Sequence, residues 1–403
     1  MNIIVQKFGG TSVSTEARRG AVANKISKAI AEGYKPVVVV SAMGRDKDPY
    51  ATDTLLRLID DDEFKKNNKL AQDLLMSCGE IISAVVLCKE LYKIGIEAVP
   101  LTGGQAGIYT DGKFTEGQLL NVNPSKIYSV LEQGKVPVVT GFQGITSDGF
   151  FTTLGRGGSD TSACILGVAL KAKEIVIYTD VDGIMTADPT VVEDASLIKE
   201  ITYNEVFQLA DQGAKVIHPS AVNLAKKGNV PLVIKNTMSD CNGTLIKSEI
   251  KKEQQRVITG ITHLSNRIQI KIRLSENRDN NLYGKLLGIL AKNKISLDLI
   301  NIFPAHQMFT INNSEFDTVA AILNEAEIIY SYEKNCATVA IVGAGMKGVP
   351  GIAARAVGVL TSNNIEILQT ADSNMTIWCL INKNNLSKAI NLLHKEFNLS
   401  SIH

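Results

Sequence analysis

Two stretches of this sequence combine small residues with one basic group in the manner of an anion site. Thr152 to Ser162 reads TTLGRGGSDTS and passes from a polar strand end, Phe150 to Thr153, into an apolar helical run, Ala163 to Ala172. Backbone N–H groups at a helix start favour negative charge, glycines let an anion approach, and the Arg156 guanidinium can clamp a carboxylate or phosphate with two parallel hydrogen bonds. A glycine turn that merely caps a helix has similar residues, so the weight comes from recurrence. Near the N-terminus, Ile3 to Val5 read as a short buried strand that stops at Gln6-Lys7-Phe8-Gly9-Gly10-Thr11-Ser12, with a helical pattern from Glu16 to Glu32. Strand, glycine loop and helix form a phosphate cradle, to which Lys7 adds a point charge. The spacing is not that of a Walker loop, and a plain turn with a snorkelling lysine is the competing reading.

The elements that must position these groups are strands with small polar ends. Val37 to Val40 is a continuous β-branched run followed by Ser41-Ala42-Met43-Gly44, as expected of a strand buried on both faces of a parallel sheet. Ala98 to Leu101 and Val136 to Thr140 end in Thr-Gly-Gly and Thr-Gly, and Glu174 to Tyr178 ends in Thr179-Asp180-Val181-Asp182-Gly183. Such ends line the ligand crevice of open α/β sheets, so one doubly wound sheet is expected to present them all on one edge. Ser41 and Thr52 are candidate contacts, although Thr52 also suits the cap of a helix from Asp53 to Ile59. Glu80 falls among apolar neighbours in a helix from Lys69 to Tyr92, a setting equally open to structural pairing and to function. Between Leu101 and Val136 a hairpin is expected around Asp111-Gly112. Tyr203 to Asp211 reads as a helix, Val230 to Ile234 as the last strand of the sheet, and Ser248 to Arg256 as a charged linker.

Bulk properties bound the function. A chain of 403 residues exceeds one ordinary hydrophobic core, and a formal net charge of +1 supplies no basic field for nucleic acid. The six cysteines and five histidines show neither a zinc spacing nor a disulfide framework. With no run approaching about 18 apolar residues, a soluble, cytoplasmic protein acting on small molecules is expected, without nucleic-acid or membrane partners.

Beyond the linker an offset of about 70 residues superposes GILAKNKI, 288 to 295, on GVLTSNNI, 358 to 365. Each copy reads strand, helix, strand, turn, strand, helix, with the first helix ending at Ile295 or Ile365, which predicts paired small α+β modules. Polar groups then open the next strand: Ser296, Asp298 and Asn301 in the first copy, Glu366, Gln369 and Asp372 in the second. The run Gly343-Ala344-Gly345-Met346-Lys347-Gly348 satisfies a dinucleotide glycine pattern, but too few strands follow to build a dinucleotide-binding half.

These segments together resemble the aspartokinase family, whose members phosphorylate the side-chain carboxylate of L-aspartate. KFGGTSV (7–13), VVVVSAMG (37–44), SCGE (77–80), TTLGRGGSDTSA (152–163), TDVDGIMTADP (179–189) and GAKVIHP (213–219) carry the resemblance in order and spacing over essentially the whole chain. It implies a three-layer α/β/α amino-acid-kinase domain over residues 1–247, a linker over 248–256, and tandem ACT modules over 257–403, with repeats near 266–331 and 336–401. It implies ATP and Mg²⁺ as cofactors. Lys7, Phe8, Gly9, Gly10, Thr179, Asp180, Met185, Lys215 and Val216 would face the nucleotide. Glu80 would receive the ammonium of aspartate and Arg156 its α-carboxylate, with Ser41, Thr52, Gly157, Gly158, Ser159 and Asp160 completing the acceptor site; Lys7, Arg156 and Asp160 would be catalytic. The sequence departs from the family pattern at Met185 and Thr190. The C-terminal repeat is similar to the modules that sense end-product amino acids, and GRDKDPYATDTLL (44–56), NCATVAIVGAGMKGVPG (335–351) and ADSNMTIW (371–378) are most like the diaminopimelate-sensitive isozyme. Ser296, Leu297, Asp298, Asn301 and Gln369 would then hold the effector, meso-diaminopimelate or lysine, in a homodimer or homotetramer. A glutamate-type kinase of the same fold and a non-catalytic amino-acid-binding regulator are the alternatives.

Overall fold

The computed structural model describes residues 1–214, 216–250, 256–273 and 282–400. Lys215 and residues 251–255 of the expected linker lie outside the described residues. Packing divides the chain into two compact units: Met1–Ile184 with Leu197–Ala210 and Lys215–Lys252, and Met185–Ser196 with Asp211–Ala214 and Glu253–His403. Two segments on the N-terminal side of residue 247 therefore pack with the C-terminal unit.

In the first unit, valine and isoleucine runs build an eight-stranded sheet. Its spatial order is Glu200–Thr202, Thr244–Lys247, Leu232–Asn236, Glu174–Thr179, Ile3–Phe8, Lys35–Val40, Val136–Thr140, Ala98–Leu101. The centre is parallel: Val5 lies opposite Val37 on one side and Ile175 on the other. Helices Glu16–Ala31 and Lys69–Lys93 pack Val22, Ile26 and Leu87 against Phe8, Val38, Val40 and Val138. The first of these helices starts where the sequence says it should, because Thr15 caps it by accepting the Arg18 N–H.

Two expectations are corrected here. The strand expected at Val230 to Ile234 runs Leu232–Asn236, since Pro231 has no N–H to give a ladder. It is not the last strand: Thr244–Lys247 pairs antiparallel to it, with alternating burial that leaves no apolar run to read. The strand ends expected on one edge do share this sheet, while Phe151–Thr153 joins Gln143–Ile145, Ile108–Thr110 and Leu119–Val122 in a separate four-stranded sheet. The last two are the antiparallel arms around Asp111-Gly112.

The second unit carries a six-stranded antiparallel sheet in the order Asp298–Ile302, His306–Asn312, Gly260–Arg273, Tyr330–Val342, Thr376–Asn382, Ile367–Asp372. The repeat is visible residue by residue. Leu290 and Leu360 are both fully buried, and Asn312 and Asn382 each cap the short helix that follows. Lys294 and Asn364 both take left-handed backbone, with φ of 58° and 59°. That turn is why the helices stop at Lys292 and Ser362 rather than at Ile295 and Ile365.

The dinucleotide-like glycines serve packing. Gly343 is extended, and a Cβ there would fall 2.1 Å from the Val257 carbonyl oxygen. The strands that follow are antiparallel.

Candidate active site

A cleft of about 620 Å³ opens at the carboxyl ends of the central strands and is lined by Lys7, Gly10, Ser41, Thr52, Glu80 and the segment Gly155–Asp160. Lys7 sits one residue before the end of strand Ile3–Phe8. Its Nζ lies 2.7 Å from Asp160 Oδ1, which projects from the first turn of helix Gly158–Ala169. Gly157, the residue that precedes that helix as its N-cap, is left-handed with φ of 68°, and a Cβ there would meet His218 at 2.3 Å. Glycine is therefore obligatory at the turn that aims the helix's free N–H groups at the cleft.

Glu80 is 2% exposed. Its Oε1 accepts the Ala42 N–H at 3.1 Å, while Oε2 has no partner. Burial pushes its pKa from 4.5 up to about 8, because one backbone hydrogen bond does not replace the lost hydration of a carboxylate. Arg156, by contrast, is exposed and makes no ion pair or hydrogen bond among the described residues. The cleft thus holds a buried carboxyl that a cation would ionise and an exposed guanidinium with no anion beside it among the described residues.

A residue that sequence reasoning missed organises the rim. Asp73 is fully buried and accepts the Thr115 N–H at 2.8 Å, the Thr153 N–H at 3.0 Å and the Thr153 hydroxyl at 2.8 Å. Burial raises its pKa, against the lowering effect of these hydrogen bonds. Asp73 fastens the strand that runs into Gly155 and Arg156 to helix Lys69–Lys93. Below it, Gln143 donates to the Ser77 carbonyl and accepts the Thr140 hydroxyl, both at 2.7 Å. An acidic residue one helical turn before Ser77 was the only sequence signal.

The other expected contacts separate. Ser41, Ser159 and Gly158 line the cleft, as does Thr52, which opens helix Thr52–Leu56 without capping it. Phe8 is a correction: its ring is fully buried and stacks on Tyr178 at 4.7 Å, and its carbonyl accepts the Ser41 N–H at 3.1 Å, so its side chain serves the core. The Gly9 N–H is already bonded to the Tyr178 carbonyl at 3.2 Å. Thr179 and Asp180 end the neighbouring strand, and Arg45 of the cleft reaches Asp180 at 2.6 Å. Met185 and Thr190 lie in the second unit, where Thr190 closes a turn on Asp188. Val216 is half-buried in a turn.

The expected effector residues also divide. Ser296 and Asp298 line a polar cavity of about 370 Å³ with Arg267, Asn312, Ser314 and Glu315, and Arg267 Nη1 pairs with Asp298 at 3.1 Å. Leu297 packs against the apolar core of the first module. Gln369 is a correction: it is buried, and its amide is used internally. Its Nε2 donates to Asn301 Oδ1 at 2.6 Å and to the Leu299 carbonyl, and its Oε1 accepts from Gln269 at 2.9 Å.

Known proteins agree with this architecture. A model of the amino acid kinase family matches residues 2–236 and one of the ACT domain matches residues 331–395. Aspartokinase 1 of Bacillus subtilis is 44% identical over 99% of this chain and 100% of its own. The crystal structure of Clostridium acetobutylicum aspartate kinase superposes with a TM-score of 0.79 at 26% identity, over 98% of this chain and 100% of that one. Escherichia coli aspartokinase III, solved with aspartate and ADP, gives 0.75 at 23% identity over 98% and 99%, a likeness of fold. Since the identity extends along the full length of its relatives and the family model spans every strand that borders the cleft, the chain belongs to the aspartokinase family.

Proposed function

We propose that the chain transfers the γ-phosphoryl group of ATP to the side-chain carboxylate of L-aspartate, giving 4-phospho-L-aspartate and ADP. The observation that carries this reading is the orphaned Glu80 Oε2, buried in a cleft that also presents the unpaired Arg156. An α-amino acid satisfies both, its ammonium on Glu80 and its α-carboxylate on Arg156.

The remaining carboxylate oxygen is the nucleophile. It is ionised at neutral pH, so it attacks phosphorus as the bond to the β-phosphate oxygen breaks, and no proton moves. The protein's work is positioning and charge neutralisation. Lys7 would compensate charge on the transferred group, and the N–H groups at Gly158 and Ser159 add the field of a helix N-terminus. Among the described residues no cluster of three or more His, Cys, Asp or Glu forms a metal cage. Mg²⁺ does not need one, since it accepts one or two carboxylates together with substrate phosphates. The exposed carboxylates of Asp180 and Asp182 suit that donor set and would hold the ion, which supplies further neutralisation of the phosphates.

Feedback control belongs to the C-terminal modules. The polar cavity at Ser296 and Asp298, with Arg267 beside it, offers opposite charges to a free amino acid, and we favour meso-diaminopimelate, then lysine. The edge strand Asp298–Ile302 leaves Ile300, Ile302 and Phe303 exposed, which favours edge pairing with a second copy in a homodimer or homotetramer.

A hydroxamate trap with aspartate, glutamate or no acceptor tests the reaction. Product with aspartate alone is expected; preference for glutamate overturns the assignment, and no product with either leaves a non-catalytic regulator.

A further inference from the structure

The segment Met185–Ser196 leaves the kinase unit and contributes to the core of the other. Val192, fully buried, and Ala187, 4% exposed, belong to the same apolar cluster as Ile261 of strand Gly260–Arg273 and Ile341, Ile390 and Leu393 of the second ACT module. Polar contacts fix its course. The Thr186 N–H donates to the Ser196 carbonyl and the Ser196 N–H to Thr186 Oγ1, both at 2.9 Å, which closes the segment into a loop. The Ile261 N–H donates to the Thr186 carbonyl at 2.8 Å. Asn391 Nδ2 donates to the Val191 carbonyl at 3.0 Å, and the Ser196 hydroxyl to the Ser400 carbonyl at 2.9 Å.

At the centre of the loop's base, Thr186 Oγ1 lies 2.9 Å from Nε2 of His394, a histidine only 1% exposed on helix Leu386–Glu396. Burial lowers the pKa of His394, so the ring is neutral near pH 7. Thr186 Oγ1 also accepts the Ser196 N–H, so one buried hydroxyl is shared between the imidazole and the loop's closing amide, with Asp194 3.6 Å from Nδ1 on the far side of the ring.

Upstream the connection is short. Asp180 and Met185 are five positions apart, and Asp182 and Ile184 between them are held within the kinase unit. Asp182 Oδ1 accepts from Asn236 and from Ser239, each at 2.9 Å. The Ile184 N–H donates to Thr244 Oγ1 at 2.8 Å, and the Ile198 N–H to the Ile184 carbonyl at 2.9 Å.

We propose that residues 185–196 are a strap through which the regulatory core sets the geometry of the strand end Thr179–Ile184, with Thr186 and His394 as the positioning residues that fasten it. The consequence for nucleotide affinity rests on the reading that Thr179 and Asp180 face ATP. A plug that only filled the module's core would need Val192 and Ala187. It would not need a buried hydroxyl shared between a histidine and the loop's own closing amide.

The experiment compares full-length Thr186→Val, which keeps the side-chain shape and removes the hydroxyl, with Thr186→Ser, which restores it, and uses Asp180→Asn as the control for the nucleotide reading. Amide exchange is followed in the peptide spanning 179–184, together with KM for MgATP, KM for aspartate and kcat. The valine variant is expected to speed exchange in that peptide and to raise KM for MgATP about three- to tenfold, a typical coupling between sites, with KM for aspartate and kcat within about twofold of the parent. The serine variant should behave as the parent. Unchanged exchange at 179–184 overturns the strap, whatever the melting temperature does. If Asp180→Asn raises KM for MgATP and Thr186→Val does not, the link to nucleotide falls while the nucleotide reading stands. If Asp180→Asn leaves KM for MgATP unchanged, that reading is the one that fails, and the exchange result alone decides the strap.

Discussion

Lys7 and Asp160 face each other at 2.7 Å, one from the end of the central strand and the other from the first turn of helix Gly158–Ala169. The pair holds the ammonium at the cleft, and in the proposed reaction the phosphate oxygens of ATP would compete with Asp160 for its charge. Replacing Lys7 with methionine keeps the stem and removes the charge. Turnover is expected to fall about 10²-fold or more, with KM for aspartate changed far less, as for a group that acts chiefly in the transition state. Steady-state kinetics in both substrates check this, and an unchanged kcat rejects the role.

Burial pushes the Glu80 pKa up to about 8 in the ligand-free protein, and only its charged form attracts an ammonium. For aspartate kcat/KM should therefore climb with pH and level off above about 8, whereas kcat stays flat, since bound ammonium holds the carboxylate ionised. Stability runs the other way. The folded state keeps its proton between the ordinary 4.5 and about 8, so ligand-free stability declines as pH rises through that window, by at most about 1.4 kcal/mol per pH unit. Glu80→Gln should flatten this slope and raise KM for aspartate at least about tenfold. Urea titrations at pH 6 and pH 8.5 provide the measurement.

Asp73 touches no part of the proposed substrate path, yet three donors end on it. Asp73→Ala leaves two backbone N–H groups and a hydroxyl unpaired in a dry setting, at about 1–3 kcal/mol for each group that finds no water. A loss of about 3 kcal/mol in unfolding free energy is expected, together with a raised KM for aspartate as the Gly155-Arg156 rim loosens. An alanine variant of parental stability would show that water replaces the carboxylate.

Feedback is tested by measuring activity and melting temperature against meso-diaminopimelate, lysine and threonine. One of the three should inhibit and stabilise, and a coupling of about 1–3 kcal/mol would change substrate affinity roughly 5- to 150-fold. Asp298→Ala should abolish both effects while leaving the uninhibited rate unaltered. If none of the three moves either readout in the parent, the modules serve assembly alone.

Local patterns made much of this protein legible before any fold was known. Buried parallel strands write their burial on both faces, so Val37 to Val40 and Glu174 to Tyr178 needed no partner to be found. Glycine-flanked Lys7 and Arg156 announced the anion chemistry, and a repeat at offset 70 announced twin modules. These features depend on neighbours a few residues away, and periodicity captures them. What depended on distant partners was hidden. Asp73 reads as an ordinary helical acid until Thr115 and Thr153 arrive from 42 and 80 residues away. Phe8 lies in a ligand-binding motif, yet its ring serves the core because Tyr178 is beside it. Gln369 looks like an available amide, and Asn301 and Gln269 consume it. Most of all, residues 185–189 end a motif of the kinase half, yet the segment they open buries Val192 in the regulatory core. Burial is a property of the packed chain, and only tertiary structure decides which core an apolar side chain joins.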